Sequence, residues 1–195
     1  DDFENRAGVI GNDENNLFIH TNENASKYSL LKVTIKGNEV SEKEIIPEKD
    51  NLLKTVSLAD DKLVCHYLKD AHSVVETYNY EGEKVKEIQL PTIGSISSFN
   101  ANKGDSLGFY TFTSFTYPSV VYKYNFKTGN SEQYYESKID FNKEEYVTKQ
   151  VFYKSKDGTK IPMFIAHKKG IEMDGTNPAI LYGYGGFNIS LTPSF

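Results

Sequence analysis

The segment Ser73–Tyr80 (SVVETYNY) recurs with small changes 46 residues later as Ser119–Phe126 (SVVYKYNF). Ser29–Ile35 (SLLKVTI) has the same outline 44 residues before the first of these segments, and a glycine turn follows all three. A period of about 40–50 residues with four short strands per unit is typical of β-propeller blades. We therefore predict about three four-stranded blades, with a plain β-sandwich as the alternative. Because propellers usually have about 4–8 blades, we expect the three to belong to a larger ring.

The composition and the hydrophobic alternation both indicate a chain that is mostly β. The sequence has 14 Tyr and 12 Phe but no Trp, and aromatic and β-branched residues suit a half-buried pleated surface. Alternating runs at 17–21 and 62–68 predict further strands. Turn signals with glycine follow at 36–38, 81–82 and 128–130.

Charge and composition exclude several classes of protein. The 195 residues include 22 Lys and Arg against 27 Asp and Glu, which gives a net charge of -5. A nucleic-acid surface needs a clustered basic excess, so we expect no nucleic-acid partner. A single cysteine, Cys65, allows neither an internal disulfide nor a cysteine zinc site, and we expect no metal and no cofactor.

No apolar run approaches the roughly 20 residues that span a bilayer, so we expect no membrane segment. The start, Asp1–Glu4, does not look like a signal peptide; the expected location is the cytoplasm, with the periplasm as the alternative.

The sequence pattern changes near residue 138, where a charged stretch interrupts the recurring strand pattern of the blades. We place a domain boundary there, with residues 1–138 as the propeller part and 139–195 as a second domain. In the second domain, Asp157-Gly158 predicts a hairpin turn. A polar loop at 168–177 then leads to an apolar stretch, Pro178–Tyr182, which we interpret as a strand buried on both faces.

A glycine cluster, Gly183–Asn188 (GYGGFN), follows that apolar stretch directly. It is not a dinucleotide-binding turn, because Asn188 stands where the third glycine would be and no helix pattern follows. A glycine turn after a buried strand also helps to build the oxyanion hole of α/β-hydrolases. There the phenol of Tyr184 would be a suitable hydrogen-bond donor. From these residues alone, an ordinary glycine-rich connection with a buried tyrosine is an equal alternative.

Three motifs resemble the prolyl oligopeptidase family. They are Ser155–Phe164 (SKDGTKIPMF), Leu181–Ser190 (LYGYGGFNIS) and Phe112–Pro118 (FTSFTYP) with Tyr122. The resemblance is specific from residue 155 onward and weak from residue 1 to about 57. It implies a seven-bladed propeller joined to an α/β-hydrolase domain. This chain would then be the last three blades, followed by the first strands of the hydrolase part.

The resemblance also implies an activity and two site residues. Family members are serine peptidases that cleave oligopeptides after proline, with the propeller as a filter that excludes folded proteins. Tyr184 corresponds to the oxyanion-hole donor, and Phe187 corresponds to the wall of the pocket for the proline ring. The related oligopeptidase B proteins, which prefer basic residues, lack this Tyr-Gly-Gly-Phe form.

The chain lacks the remaining catalytic groups that such a peptidase needs. The nucleophile motif G-x-S-x-G does not occur, and the Asp and His of the triad would lie further along. We therefore expect this chain alone to be inactive, with the remainder of the same polypeptide as its partner.

The four histidines have no metal-ligand spacing and are not predicted to be catalytic: His20, His66, His72 and His167. The alternative functions are a non-catalytic propeller-type binding module, an inactive relative, or a sibling peptidase of different specificity.

Overall fold

The computed structural model describes residues 5–187 and 189–195 of the chain. These residues form three consecutive four-stranded antiparallel sheets followed by a two-stranded hairpin, and they contain no α-helix. The prediction of a chain that is mostly β is confirmed. Within the described ranges, no helix has the length and apolar character needed to cross a membrane.

Each four-stranded sheet is a simple meander in which consecutive strands are neighbours. The first sheet contains β1 (Ala7–Asp13), β2 (Asn16–Thr21), β3 (Ser29–Lys36) and β4 (Glu39–Ile46). The second sheet contains β5 (Leu52–Ala59), β6 (Lys62–Lys69), β7 (His72–Tyr78) and β8 (Lys84–Ile88). The third sheet contains β9 (Ser95–Asn100), β10 (Leu107–Ser114), β11 (Tyr117–Asn125) and β12 (Asn130–Glu136).

The internal repeat occupies the same place in each sheet. Its three copies form the third strands, β3, β7 and β11. The turn after each of these strands has a glycine at positive φ: Gly37 at 61°, Gly82 at 86° and Gly129 at 69°. Gly82 also sits against the first sheet, because a β-carbon there would lie only 1.9 Å from the carbonyl oxygen of Ile45. The three predicted blade units and their turns are therefore confirmed.

The order of the strands from inside to outside is that of propeller blades. The first strands, β1, β5 and β9, contact one another from sheet to sheet. The last strands, β4, β8 and β12, are mostly exposed.

The cores lie between the sheets, and the second sheet takes part in two of them. On β6, Leu63, Cys65 and Tyr67 face a cluster shared with the first sheet. Val64 faces a cluster shared with the third sheet. Because side chains alternate between the two faces of a strand, one strand can serve both neighbours. Burial on both faces explains why this stretch is nearly continuously apolar.

Aromatic rings fill the core between the second and third sheets. The ring of Tyr110 stacks on Phe99 at 5.8 Å and on Tyr122 at 5.3 Å between centroids. Phe112 and Val120 of the same cluster are fully buried. Each such side chain contributes roughly 1.5–3 kcal/mol on burial, so these rings explain the high content of Tyr and Phe.

The second part of the chain contains the predicted hairpin. Strands β13 (Tyr146–Lys154) and β14 (Lys160–Lys168) pair in register, after a short 3₁₀ turn at Lys143–Glu145. In the connecting loop, Gly158 has φ 86° and the Asp157 carboxylate accepts a hydrogen bond from the Thr159 N–H at 2.9 Å. This carboxylate also accepts a bond from the Ser155 hydroxyl. Together these bonds hold the pKa of Asp157 low, at about 2.

The apolar stretch Pro178–Tyr182 is not a buried strand, and that prediction is wrong for the described chain. Ile180 is 97% exposed and Leu181 is 88% exposed. A parallel strand needs a neighbour on each side for its backbone hydrogen bonds, and no strand among the described residues pairs with this stretch. The α/β-hydrolase part of the predicted fold and the domain boundary at residue 138 stay predictions.

Candidate functional site

The predicted site residues, Tyr184 and Phe187, lie close together in the chain at a tight turn. Residues 169–187 have no regular strand, and the turn is closed by a hydrogen bond from the Ile189 N–H to the Gly186 carbonyl at 3.1 Å. Phe187 therefore lies within this turn, and Tyr184 lies two residues before it. Asn188, the last residue of the glycine motif, lies outside the described residues.

The glycine at 186 provides room for the tyrosine ring. A β-carbon at position 186 would lie 3.1 Å from the Tyr184 hydroxyl oxygen and 3.3 Å from the ring carbon that bears it. Such distances are tighter than ordinary side-chain contacts, so a larger residue would displace the phenol. The side chain of Tyr184 is 49% exposed. Among the described residues its hydroxyl has no hydrogen-bond partner, which leaves the O–H free to donate to a ligand.

Within the described residues 183–187, Phe187 has positive φ, at 55°, and none of the three glycines is in that region. A bulky residue in the left-handed region costs about 1 kcal/mol or more and is typical of positions held for function. The Phe187 ring is 94% exposed. An exposed aromatic ring beside an exposed phenol can present a flat apolar surface and a hydrogen-bond donor to the same ligand.

The chain after the turn returns to the third sheet. The Phe195 N–H donates to the Thr113 hydroxyl at 3.2 Å. The Phe195 ring packs edge-on against Phe141 at 4.9 Å, and Phe141 stacks on Tyr146, also at 4.9 Å. An aromatic cluster thus holds this segment beside the start of the hairpin. Sequence reasoning missed Phe141 and Phe195, because neither lies in a recognisable motif.

The hairpin docks at one end of the second and third sheets. The Thr148 and Thr116 hydroxyls lie 3.1 Å apart, and Phe164 packs on Phe115 at 5.5 Å. The Gln150 side chain donates to the carbonyl of Asp70 at 2.5 Å. Residues 70 and 115–116 both lie in connections between the second and third strands of their sheets. The hairpin therefore lies at this end of the blades, and so does Phe195, which contacts Thr113 near the end of β10.

None of the histidines takes part in a catalytic arrangement among the described residues. His66 is buried, and its Nε2 lies 2.8 Å from the Ser73 hydroxyl. The Nε2–H of His20 donates to the Leu53 carbonyl at 2.9 Å. His167 lies near the end of β14 and is partly exposed. The described part of the chain has no group of three metal-ligating side chains. Cys65 is fully buried, and burial raises the pKa of its thiol.

One surface cavity of the described structure is formed by residues outside the glycine turn. It measures about 590 Å³ and lies between Pro118 and residues 136–144. Neither Tyr184 nor Phe187 lines it. Among the described residues, the candidate site thus consists of two exposed side chains near a turn.

The sequence is similar to known prolyl peptidases along its whole length. The prolyl endopeptidase of Elizabethkingia miricola is 41% identical over 194 residues, which cover 99% of this chain and 27% of that protein. A dual function macrocyclase-peptidase of Amanita bisporigera is 33% identical over 193 residues, which cover 96% of this chain and 26% of that protein. The chain thus spans about a quarter of the length of these relatives.

Solved structures show the same similarity in three dimensions. A structure from a study of two prolyl endopeptidases and their inter-domain dynamics matches 100% of this chain and 28% of its own, with a TM-score of 0.87 and 32% identity. Apo prolyl oligopeptidase B from Galerina marginata matches 99% of this chain and 28% of its own, with a TM-score of 0.88 and 29% identity.

The match to a protein family coincides with the three sheets. Residues 1–137 match the family described as the prolyl oligopeptidase, N-terminal beta-propeller domain. The third sheet ends at Glu136. The chain therefore belongs to the prolyl oligopeptidase family, as its sequence motifs indicated.

Proposed function

We propose that this chain is part of a serine-type oligopeptidase that cleaves peptides on the carboxyl side of proline. The observation that carries the proposal is the similarity to prolyl endopeptidases over 99% of the chain. The relatives named macrocyclase-peptidases are less similar, at 33%, so hydrolysis is the activity proposed here.

In this proposal Tyr184 donates a hydrogen bond to the oxyanion that forms when the scissile carbonyl is attacked. Its side chain is half-exposed, and its hydroxyl has no hydrogen-bond partner among the described residues. A donor that is held in place before the reaction stabilises the developing charge without a cost of reorganisation. A backbone N–H would be the second donor.

Phe187 forms one wall of the pocket for the proline ring. The pyrrolidine is rigid and flat enough to pack against an aromatic face, where dispersion and apolar burial favour it. The strained backbone and 94% exposure of Phe187 are consistent with a ring held ready for a ligand rather than for the core.

The serine, aspartate and histidine of the triad come from the remainder of the polypeptide. The serine attacks the carbonyl after proline, and the histidine moves the proton. The exposed apolar residues Ile180–Tyr182 fit this arrangement, because they would be covered once neighbouring strands are present. The sheets would act as a filter that admits proline-containing oligopeptides and excludes folded proteins.

The proposal is tested with a Gly-Pro chromogenic peptide. We expect no hydrolysis by the 195-residue chain and hydrolysis by the same chain extended through its natural downstream sequence. In the extended protein, Phe187→Ala should raise KM for this substrate. Phe152→Ala, which removes an exposed ring of the hairpin, is the matched control and should change little. Inactivity of the extended protein would favour the binding module. An unchanged KM in Phe187→Ala would contradict the proline pocket.

A further inference from the structure

The three innermost strands carry very little charge. β1, β5 and β9 contain only two charged residues between them, Asp13 and Lys54. Asp13 is paired with Lys103 at 2.5 Å. Lys54 is exposed, and within the described ranges no carboxylate lies at ion-pair distance from its ammonium. Blades surround a central channel, so an exposed side chain on an innermost strand is available to whatever enters it.

The backbone around Lys54 is held in a fixed and irregular conformation. The pairing of β5 with β6 shifts register between Leu53 and Thr55, which places Lys54 in a β-bulge. Bulges re-aim a side chain out of the regular alternation and are frequent beside functional sites. The Leu53 N–H donates to the Lys27 carbonyl at 2.9 Å, and the Leu53 carbonyl accepts from His20 at 2.9 Å. The base of the lysine side chain is therefore well fixed.

Lys54 lies near the end of the second sheet at which the hairpin docks. Leu52 at the start of β5 pairs with Leu68 near the end of β6. The turn after β6 holds Asp70, whose carbonyl accepts the bond from Gln150 of the hairpin. At about 3.3 Å per residue, Lys54 is within roughly 10 Å of this end. Asp60, at the other end of β5, is roughly 20 Å further along the strand and forms an ion pair with Lys62 at 3.6 Å.

We propose that Lys54 is a specificity-determining residue that favours peptides with a carboxylate remote from the scissile proline. A peptide that is bound at the glycine turn and continues into the channel passes the ammonium of Lys54 on its way. Because no carboxylate among the described residues pairs with Lys54, a substrate carboxylate can pair with its ammonium without displacing one of them. The carboxylate can be an acidic side chain or the free C-terminus. This inference rests on the proposed peptidase function.

The test uses the full-length protein and three ten-residue peptides with a single proline. One has a remote Glu and an amidated C-terminus, the second has Gln in place of that Glu, and the third has Gln with a free C-terminus. At low salt we expect kcat/KM for the Glu peptide to exceed that for the amidated Gln peptide by roughly two- to fivefold, as for an exposed ion pair, mainly through KM. The third peptide shows whether the C-terminal carboxylate has the same effect.

Substitutions then assign the preference to Lys54. Lys54→Met should abolish it, and Lys54→Glu should reverse it, while a Gly-Pro chromogenic substrate too short to reach Lys54 is cleaved at an unchanged rate. Lys156→Met, at an exposed lysine of the hairpin turn, is the matched control and should retain the preference. In the unmodified protein, 0.5 M salt should remove it, because the Debye length then falls to about 4 Å.

Two results would overturn the inference and leave the proposed function intact. One is equal cleavage of the three peptides by the unmodified protein, and the other is a preference for Glu that survives in Lys54→Met. Failure of the unmodified protein to cleave any proline peptide would overturn the proposed function together with the inference.

Discussion

The second sheet and the segment that carries the candidate site bury their apolar residues very differently. In the second sheet, Leu63 and Val75 are almost completely buried, and sheets on both sides cover them. In the site segment, Ile180 and Leu181 are almost completely exposed. Both stretches have strand-like composition, so composition does not explain the difference. What differs is that the partners of the second sheet lie within about fifty residues on either side, whereas those of the site segment are not among the described residues.

The largest expected effect is on the free energy of unfolding, and it tests this comparison at two lengths of the protein. Leu63→Ala should lower the free energy of unfolding by about 2–5 kcal/mol in the 195-residue chain and in the full-length protein, because it leaves a cavity in a packed core. Ile180→Ala should change it by less than about 0.5 kcal/mol in the 195-residue chain. In the full-length protein its cost should approach that of Leu63→Ala. Urea denaturation measures all four values.

The result for Ile180 decides between two interpretations of the apolar stretch. A large cost only in the longer protein would mean that Ile180 is buried once its neighbours are present. An equal and small cost at both lengths would contradict the proposal that neighbouring strands cover these residues.

The second prediction concerns the catalytic role of Tyr184 in the exposed segment that carries the candidate site. Tyr184→Phe in the full-length protein should lower kcat on a Gly-Pro substrate about 10–1000-fold, by analogy with the loss of one oxyanion donor. The thermal midpoint should change little, since the hydroxyl forms no hydrogen bond with the described residues. Turnover at the unmodified rate would exclude Tyr184 from the oxyanion hole.

The third and smallest effect is the pH dependence of stability that arises in the buried second sheet. Ser73 links the second sheet to the third, because its hydroxyl contacts His66 Nε2 at 2.8 Å and accepts from the Ile96 N–H at 3.0 Å. Burial, with a smaller contribution from the positive charge of Lys54, lowers the pKa of His66 from 6.5 to about 4. Between these values the unfolded chain binds a proton that the folded chain does not bind. Stability contributed by the neutral imidazole is therefore complete above pH 6.5 and falls with decreasing pH, by at most about 1.4 kcal/mol per pH unit.

This pH dependence can be assigned to one residue. The unfolding free energy of the unmodified protein should fall more steeply between pH 6.5 and 4.5 than that of His66→Gln, which has no titratable imidazole at this position. Parallel curves for the two proteins would show that His66 does not titrate in this range on unfolding.

The sequence predicted the sheets well because each strand finds its partners nearby in the chain. β3, β7 and β11 were evident from the alternation and the glycine turns, and so was the hairpin around Asp157-Gly158. The Gly183–Asn188 motif drew attention to Tyr184 and Phe187, although a family resemblance was needed to suggest roles for them. Their roles remain predictions, since the turn is open in the described chain.

Features that depend on contacts distant in sequence could not be predicted. The bond between Gln150 and Asp70 joins residues 80 apart, and neither residue belongs to a motif. In the sequence, Lys54 looks like an ordinary charged residue within an apolar strand, because the pattern of apolar and polar residues does not reveal a β-bulge. The apolar run at 178–182 was interpreted as a buried strand because its composition fits one. Composition does not reveal whether a neighbouring strand is present.

The alternation along β6 means that one strand encodes two interfaces at once. Substitutions at 63, 65 or 67 act on the contact with the first sheet, and those at 64 or 66 act on the contact with the third. The two junctions can therefore be altered independently, one substitution at a time. A single inserted residue has a different result, because it turns every later side chain to the opposite face. Point substitution can thus tune the angle between two blades, whereas a change of length within β6 exchanges both sets of contacts together.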